Sequence, residues 1–348
     1  MQVIFQVEAS SNIGLGHLMR CLTLARQLHE LEINCLFMIN QHDLNLSQLL
    51  DEADIEYKFV DSPSSTFDVV FGGVKNALTL VVIDSYDFDS EWHHQLKSVD
   101  TLVMAIDDLA NRPLSLDLLL DQNLVESYQT RYDDFVPKNC ISLLGPKYAL
   151  LREEFYLQRK VLPTMENRLN NAVVLVNFGG ADPGNETLKA AKGVVAVNGI
   201  KEIVVVVGSG YLHYEQLKAW AKNYPKVALL QNVSNMAHLM SQALVMVGAV
   251  GSTTWERCAL GCVGLVSAIA ENQQATAEYL HKLGVHQFLG SHNELESDDY
   301  RRGLESIMAN SDELLSMSER AFGLVDGLGA HRVAQKIQEF MLDKYASR

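Results

Sequence analysis

The chain predicts an α/β protein of two doubly wound, Rossmann-like domains facing each other across a cleft, and three features carry that expectation. Short apolar runs of strand type alternate with helical patterns along its length, as in parallel sheets covered by helices. The alternation lapses in a polar stretch, 159–171, and then restarts. At 348 residues the chain is long for one core and sufficient for two.

In the first half, strands are expected at 3–7, 35–39, 57–60, 79–83, 101–106, 118–120 and 141–143. After the first of them Leu18, Cys21, Leu22, Ala25 and Leu28 follow the i, i+3, i+4, i+7 spacing of a buried helical stripe. The stretch 159–171 contains Pro163 and little periodicity, so domains of 1–160 and 170–330 are expected on either side of it. In the second half, strands at 172–178, 203–207, 227–230, 244–247 and 263–267 are each followed by a helix. A last helix near 332–344, in the segment 331–348, ends in one domain or the other; a crossing back to the first would brace the hinge. The cleft is then the default binding site.

Composition narrows the function classes. Acidic residues number 43 against 28 basic ones, a formal charge of −15, which argues against nucleic acid and anionic membrane partners. No apolar run reaches the length of a membrane span, and Met1-Gln2 leads into a strand without the pattern of a secretory signal. The five cysteines, Cys21, Cys35, Cys140, Cys258 and Cys262, lack C-x-x-C spacing and read as free thiols of a cytoplasmic protein. Cys258 and Cys262, one turn apart on an expected helix, read as packing residues.

The chemistry concentrates at strand ends. Gly14-Leu15-Gly16-His17 joins the first strand to the first helix and places a histidine at the carboxyl edge of a parallel sheet, where ligands of such sheets bind. The positive helix end favours a neutral imidazole able to take a proton, and Gly14 and Gly16 allow close backbone approach. A packing or capping histidine is the alternative. The third glycine of a dinucleotide fingerprint is missing. Asp84, in the run Asp84-Ser85-Tyr86-Asp87, and the pair Asp107-Asp108 end successive strands; in an ordinary sheet order they converge near His17, where one orients the imidazole or polarises a water. Each alone also fits a capping aspartate. Nothing at ligand spacing accompanies Asp107-Asp108, so no metal is expected.

In the second half, Gly248-Ala249-Val250-Gly251-Ser252-Thr253 turns from strand into helix and offers backbone N–H groups, hydroxyls and the helix dipole to a diphosphate. Glu256, one turn on, suits paired ribose hydroxyls. The competing reading makes Ser252 or Thr253 an N-cap, with Glu256 closing a capping box. A second glycine turn, Gly179-Gly180, is placed to close on a sugar or phosphate, or is a tight turn in which Asp182 and Asn185 cap the next helix.

Taken together, the blocks SSNIGLGHLMRCLTLA, VIDSYDFD, AIDDLANRPLSLDLLLDQN, LLGPKYALLREEF, VNFGGADPGNETLK, GSTTWERCALG, the pair Asn272-Gln273 and DGLGAHRV resemble a known family. It is the PseG family, hydrolases that release UDP from a UDP-linked 2,4-diacetamido-2,4,6-trideoxy sugar in pseudaminic acid biosynthesis. The family is similar in fold to GT-B glycosyltransferases such as MurG. The resemblance implies that His17 is the general base for water and that Tyr86 and Asp84 lie at the reacting sugar. It assigns Gly251, Ser252, Thr253 and Glu256 to UDP, with Asn272 and Gln273 nearby. The partner is then a small UDP-sugar, with no cofactor. Family members usually carry an arginine and an aspartate where this chain has Gln6 and Glu8, and a proline where it has Cys262-Val263; the first change bears on the sugar's identity. A GT-B glycosyltransferase with a UDP-amino sugar donor and a non-catalytic nucleotide-sugar-binding protein are the competing readings.

Overall fold

The structure, a computed structural model, describes residues 1–7, 16–39, 49–60, 69, 78–98 and 100–347. It divides into two compact units. One comprises Met1–Asn123, Ser127–Leu150 and Leu328–Arg348; the other comprises Leu124–Glu126 and Leu151–Gly327.

The first unit holds a parallel sheet of β1 (Gln2–Val7), β2 (Asn34–Ile39), β3 (Glu56–Phe59), β4 (Thr79–Asp84), β5 (Thr101–Ile106), β6 (Leu118–Asp121) and β7 (Ile141–Leu144). Their order is β3-β2-β1-β4-β5-β6-β7. Its central strands are apolar and buried on both faces, as a sheet with helices on each side requires. The Gly16–Glu30 helix buries the anticipated stripe of Leu18, Cys21, Leu22, Ala25 and Leu28. The terminal helix Gly329–Ala346 joins the same core through Val333, Ala334, Ile337 and Met341. Its start is pressed so closely on the Tyr148–Ala149 backbone that a Cβ on Gly329 would overlap it.

The second unit holds a parallel sheet of β8 (Val173–Asn177), β9 (Glu202–Val207), β10 (Val227–Gln231), β11 (Val245–Ala249), β12 (Val263–Ala268) and β13 (His286–Ser291). Their order is β10-β9-β8-β11-β12-β13. All twelve anticipated strands form, and both units are Rossmann-like. β13 was not anticipated: His286-Gln287-Phe288-Leu289-Gly290-Ser291 has neither an apolar run nor strict alternation, and it is specified by pairing with β12. The polar stretch 159–171 does not separate the units. The chain passes from one to the other at Leu150–Leu151, because this stretch is anchored in the second unit: Arg168 of the Met165–Asn171 helix donates to the carbonyls of Leu260 and Gly261 at 2.9 and 3.0 Å. Cys262 also departs from expectation, since its helix ends at Ala259. Among the described residues no helix is long and apolar enough to cross a membrane.

Candidate active site

Each sheet reverses its winding once, and ligands of such sheets bind where the strand order reverses, at the carboxyl ends of the two strands involved. In the first unit these strands are β1 and β4, paired so that Val7 lies opposite Asp84. The Gly16–Glu30 helix starts beyond β1 and Asp84 closes β4, so two residues far apart in sequence become neighbours. His17 Nδ1 lies 2.6 Å from Asp84 Oδ1.

Asp84 is fully buried and collects several donors. Arg20 Nε donates to Oδ2 at 2.6 Å, Arg20 Nη2 donates to Oδ1, and the Cys21 thiol reaches Oδ2 at 3.4 Å. Burial alone raises a carboxyl, but the Arg20 guanidinium and the hydrogen bonds from Arg20 and His17 hold Asp84 well below the usual carboxylate range. It is an anion at any physiological pH. His17 Nδ1 also lies 3.1 Å from Arg20 Nη2, but two N–H donors cannot bond each other, so the carboxylate determines the tautomer. Nδ1 carries the proton and donates to Asp84, so in the neutral form of the ring the Nε2 lone pair is the one available as a base. Tyr86 stands edge-on to the imidazole, with ring centroids 5.6 Å apart, and its hydroxyl donates to Asp108 Oδ1 at 2.7 Å.

The convergence of strand-end carboxylates on His17 is thus partial. Asp84 meets the ring and Asp108 meets Tyr86. Asp107 is turned away, accepting from the Leu109 and Ala110 backbone at 3.0 and 3.1 Å and from the Tyr132 hydroxyl at 2.8 Å. Gly16 has nothing within 4 Å of where a Cβ would stand; Gly14 and Glu8 lie outside the described residues. Arg20 was missed by the sequence reading, although its place three residues after His17, one helical turn on, is a usable signal.

In the second unit the winding reverses between β8 and β11, which brings the Gly179-Gly180 turn and the Gly248–Ser252 turn to one sheet edge. Gly248 opposes Asn177, and a Cβ on it would overlap the Asn177 carbonyl. The Asn177 side chain ties the edge together, donating to the Val206 carbonyl at 3.0 Å and accepting from Gly179 N at 3.3 Å. Gly179 has φ +90°, a left-handed conformation that favours glycine, and Gly180 faces open space on its Cβ side. Asp182 caps the Glu186–Val195 helix through Glu186 N and Thr187 N at 3.0 and 2.8 Å, whereas the Asn185 side chain caps nothing there.

The Ser252–Ala259 helix begins without a side-chain cap. Its N-cap is Gly251, so neither Ser252 nor Thr253 plays the capping role, and no capping box forms with Glu256. Gly251 and Ser252 are exposed, and the Cβ side of Gly251 has no atom nearer than the Gln273 amide at 3.9 Å. The other end of this helix is heavily neutralised: Arg159, Arg168 and Arg257 donate to the carbonyls of Ala259, Leu260, Gly261 and Cys262 at 2.7 to 3.0 Å. Three guanidinium groups at the negative end and an uncapped positive end leave the N-terminus open to an anion. Glu256 is half-buried; burial pushes its carboxyl up, and Arg152 at 3.6 Å opposes that shift. Arg152 was also missed, having no motif of its own. Gln273 braces the adjacent loop by accepting from Ile269 N at 3.0 Å, while Asn272 is exposed on the short turn Glu271–Gln273.

These two strand-end constellations can be set beside known proteins. No protein-family model matches the chain. It is 28% identical, over 286 residues, to the UDP-2,4-diacetamido-2,4,6-trideoxy-beta-L-altropyranose hydrolase of Campylobacter jejuni, covering 82% of this chain and 97% of that one. The chain is similar to a nucleotide-sugar hydrolase, as its motifs indicate. It is also 24% identical, over 94% of both chains, to the spore coat polysaccharide biosynthesis protein SpsG of Bacillus subtilis. Among solved structures, MurG of Acinetobacter baumannii superposes with a TM-score of 0.66 over 97% of this chain and 99% of its own, at 14% identity. At that identity the likeness is one of fold, and the fold is GT-B.

Proposed function

We propose that this chain hydrolyses a UDP-linked 2,4-diacetamido-2,4,6-trideoxy sugar to UDP and the free sugar, by attack of water on the anomeric carbon with inversion. The observation that carries the reading is the His17–Asp84 hydrogen bond at the β1/β4 reversal, which engages Nδ1 and leaves Nε2 as the ring nitrogen for the base. The hydrolase relative supports the substrate class and the reaction, and the resemblance assigns the step to pseudaminic acid biosynthesis. Five unpaired thiols fit an enzyme of the cytoplasm.

The steps follow from general chemistry. His17 Nε2 takes a proton from water as the water oxygen bonds to the anomeric carbon, and the bond from that carbon to the diphosphate oxygen breaks. Its electron pair leaves with UDP. The uncapped N-terminus of the Ser252–Ala259 helix, with Ser252 and Thr253, stabilises the charge gathering on the departing phosphate. Glu256 accepts from the ribose hydroxyls, Gly179, Gly180 and Gly251 admit the diphosphate closely, and Asn272 and Gln273 flank it. Tyr86 holds the sugar or the water. Asp84 keeps the imidazole in its basic tautomer and steadies the imidazolium that forms, the role a carboxylate plays behind other catalytic histidines.

Running the reaction in ¹⁸O-labelled water tests the assignment: the label is expected in the free sugar and absent from UDP. Label in UDP means attack at phosphorus and overturns the proposal. The fold shared with MurG favours a second reading, transfer of the sugar to an acceptor. A product that forms only when an acceptor is added decides for that reading.

A further inference from the structure

The aspartates Asp107 and Asp108 are adjacent in sequence and differ in what holds them. Asp107 is consumed by its own turn, by Tyr132 and by Arg112 at 2.8 Å. Asp108 directs its carboxylate to the hydroxyl of Tyr86 at 2.7 Å. Its backbone is pinned from the other side: Arg131 Nη2 donates to the Asp108 carbonyl at 2.9 Å, while Arg131 Nη1 donates at 3.1 Å to Asp121, a buried residue at the end of β6. The Arg131 guanidinium also lies over the Tyr132 ring, 5.3 Å from its centroid. A chain of fixed contacts thus runs from the β6 end through Arg131 and Asp108 to Tyr86, whose ring stands against His17.

The consequence is one of polarity. A carboxylate only accepts hydrogen bonds, and a phenol has a single proton. With that proton committed to Asp108, the Tyr86 oxygen offers only lone pairs to the site. His17, whose Nδ1–H is committed to Asp84, likewise offers only the Nε2 lone pair in the neutral form that the proposed reaction requires.

We infer that Asp108 is a positioning residue that makes Tyr86 an acceptor-only contact, so that the group bound beside His17 is a neutral hydrogen-bond donor: an amide N–H or hydroxyl of the sugar, or the attacking water. A diphosphate oxygen, rich in lone pairs, is disfavoured at this point, which keeps the sugar end of the substrate here. The inference rests on the hydrolase reading above. Tyr86 also feels Arg20 and Asp84, but burial first and Asp108 next are what push its hydroxyl well above the ordinary phenol range.

The test uses Tyr86→Phe, Asp108→Leu, the double variant and Asp108→Asn, with a UDP-diacetamido sugar as substrate. A hydrogen bond to a charged group contributes on the order of 1.5–3 kcal/mol, so each of the first two changes is expected to lower kcat/KM by about 10–100-fold. If Asp108 acts through Tyr86, the double variant is no worse than the weaker single one, and Asp108→Asn, which keeps an acceptor oxygen, retains more activity than Asp108→Leu. A rise in KM identifies the donor as a sugar group, and a loss confined to kcat identifies it as water; both support the inference. Independently of turnover, 3-fluorotyrosine placed at position 86 and followed by ¹⁹F NMR is expected to titrate at lower pH in Asp108→Leu. Losses that multiply in the double variant, or an unmoved ¹⁹F titration, overturn the inference. An unaltered chain that releases no UDP from any such sugar removes the hydrolase reading, while the ¹⁹F titration still decides whether Asp108 holds Tyr86.

Discussion

Replacing Asp84 with asparagine changes the shape of the site little and removes one buried negative charge. In the folded chain that charge receives the imidazole N–H, two guanidinium N–H groups and a thiol, and the Arg20 side chain is itself largely buried. Asp84→Asn therefore leaves an uncompensated buried cation, which typically costs about 3–5 kcal/mol. At roughly 2–4 °C per kcal/mol for a unit of this size, the melting transition is expected to fall by about 6–20 °C. Activity falls for a separate reason. The asparagine NH₂ group faces the ring as readily as its carbonyl, so Nδ1 is no longer held as the proton-bearing nitrogen, and the loss is expected to approach the roughly 10²–10⁴-fold that a general base supplies. The pH dependence has a fixed sign. Asp84 is depressed in the folded chain, so its contribution is complete above the unfolded carboxylate value of about 3.9 and is lost as the pH falls through its lower folded value. The stability gap between the parent and Asp84→Asn is thus expected to be constant from neutral pH to about pH 5 and to close only in stronger acid. Calorimetric melting across pH, with UDP release as the activity assay, measures both quantities. A variant that keeps its melting temperature and activity within a factor of three refutes the argument.

Three further outcomes are expected. His17→Ala should lower turnover about 10²–10⁴-fold while titration calorimetry shows UDP affinity nearly unchanged, because the proposed base and the helix proposed to hold UDP lie in different units. Gly251→Ala has an ordinary φ and open space for its methyl group, so it should melt like the parent yet bind UDP more weakly, as should Ser252→Ala; equal affinity for UDP in both would move the diphosphate elsewhere. Gly248→Ala has the opposite signature, since its methyl group meets the Asn177 carbonyl, and it should lose about 1–3 kcal/mol of stability in denaturant titrations.

What was legible in the sequence was whatever depends on near neighbours. Buried parallel strands need continuous apolar runs, so the central strands could be read directly, the partly exposed edge strands β3 and β10 were legible from shorter apolar or alternating patterns, and the 3.6-residue period placed Leu18, Cys21, Leu22, Ala25 and Leu28 on one buried face. Turn chemistry likewise marked the strand ends where His17, Asp84, Gly179 and Gly251 lie. The sequence left open whether Ser252 caps its own helix, whether Asp107 or Asp108 points at the site, and which residue orients His17. Those are long-range matters. Asp84 stands 67 residues from His17, and only the pairing of β1 with β4 sets them side by side. Asp107 and Asp108 are chemically identical neighbours that alternate in direction, so the turn after β5 and the reach of Tyr132 and Tyr86 decided their roles. β13 was invisible because its specification lies in the edge of β12, a partner that no local window contains.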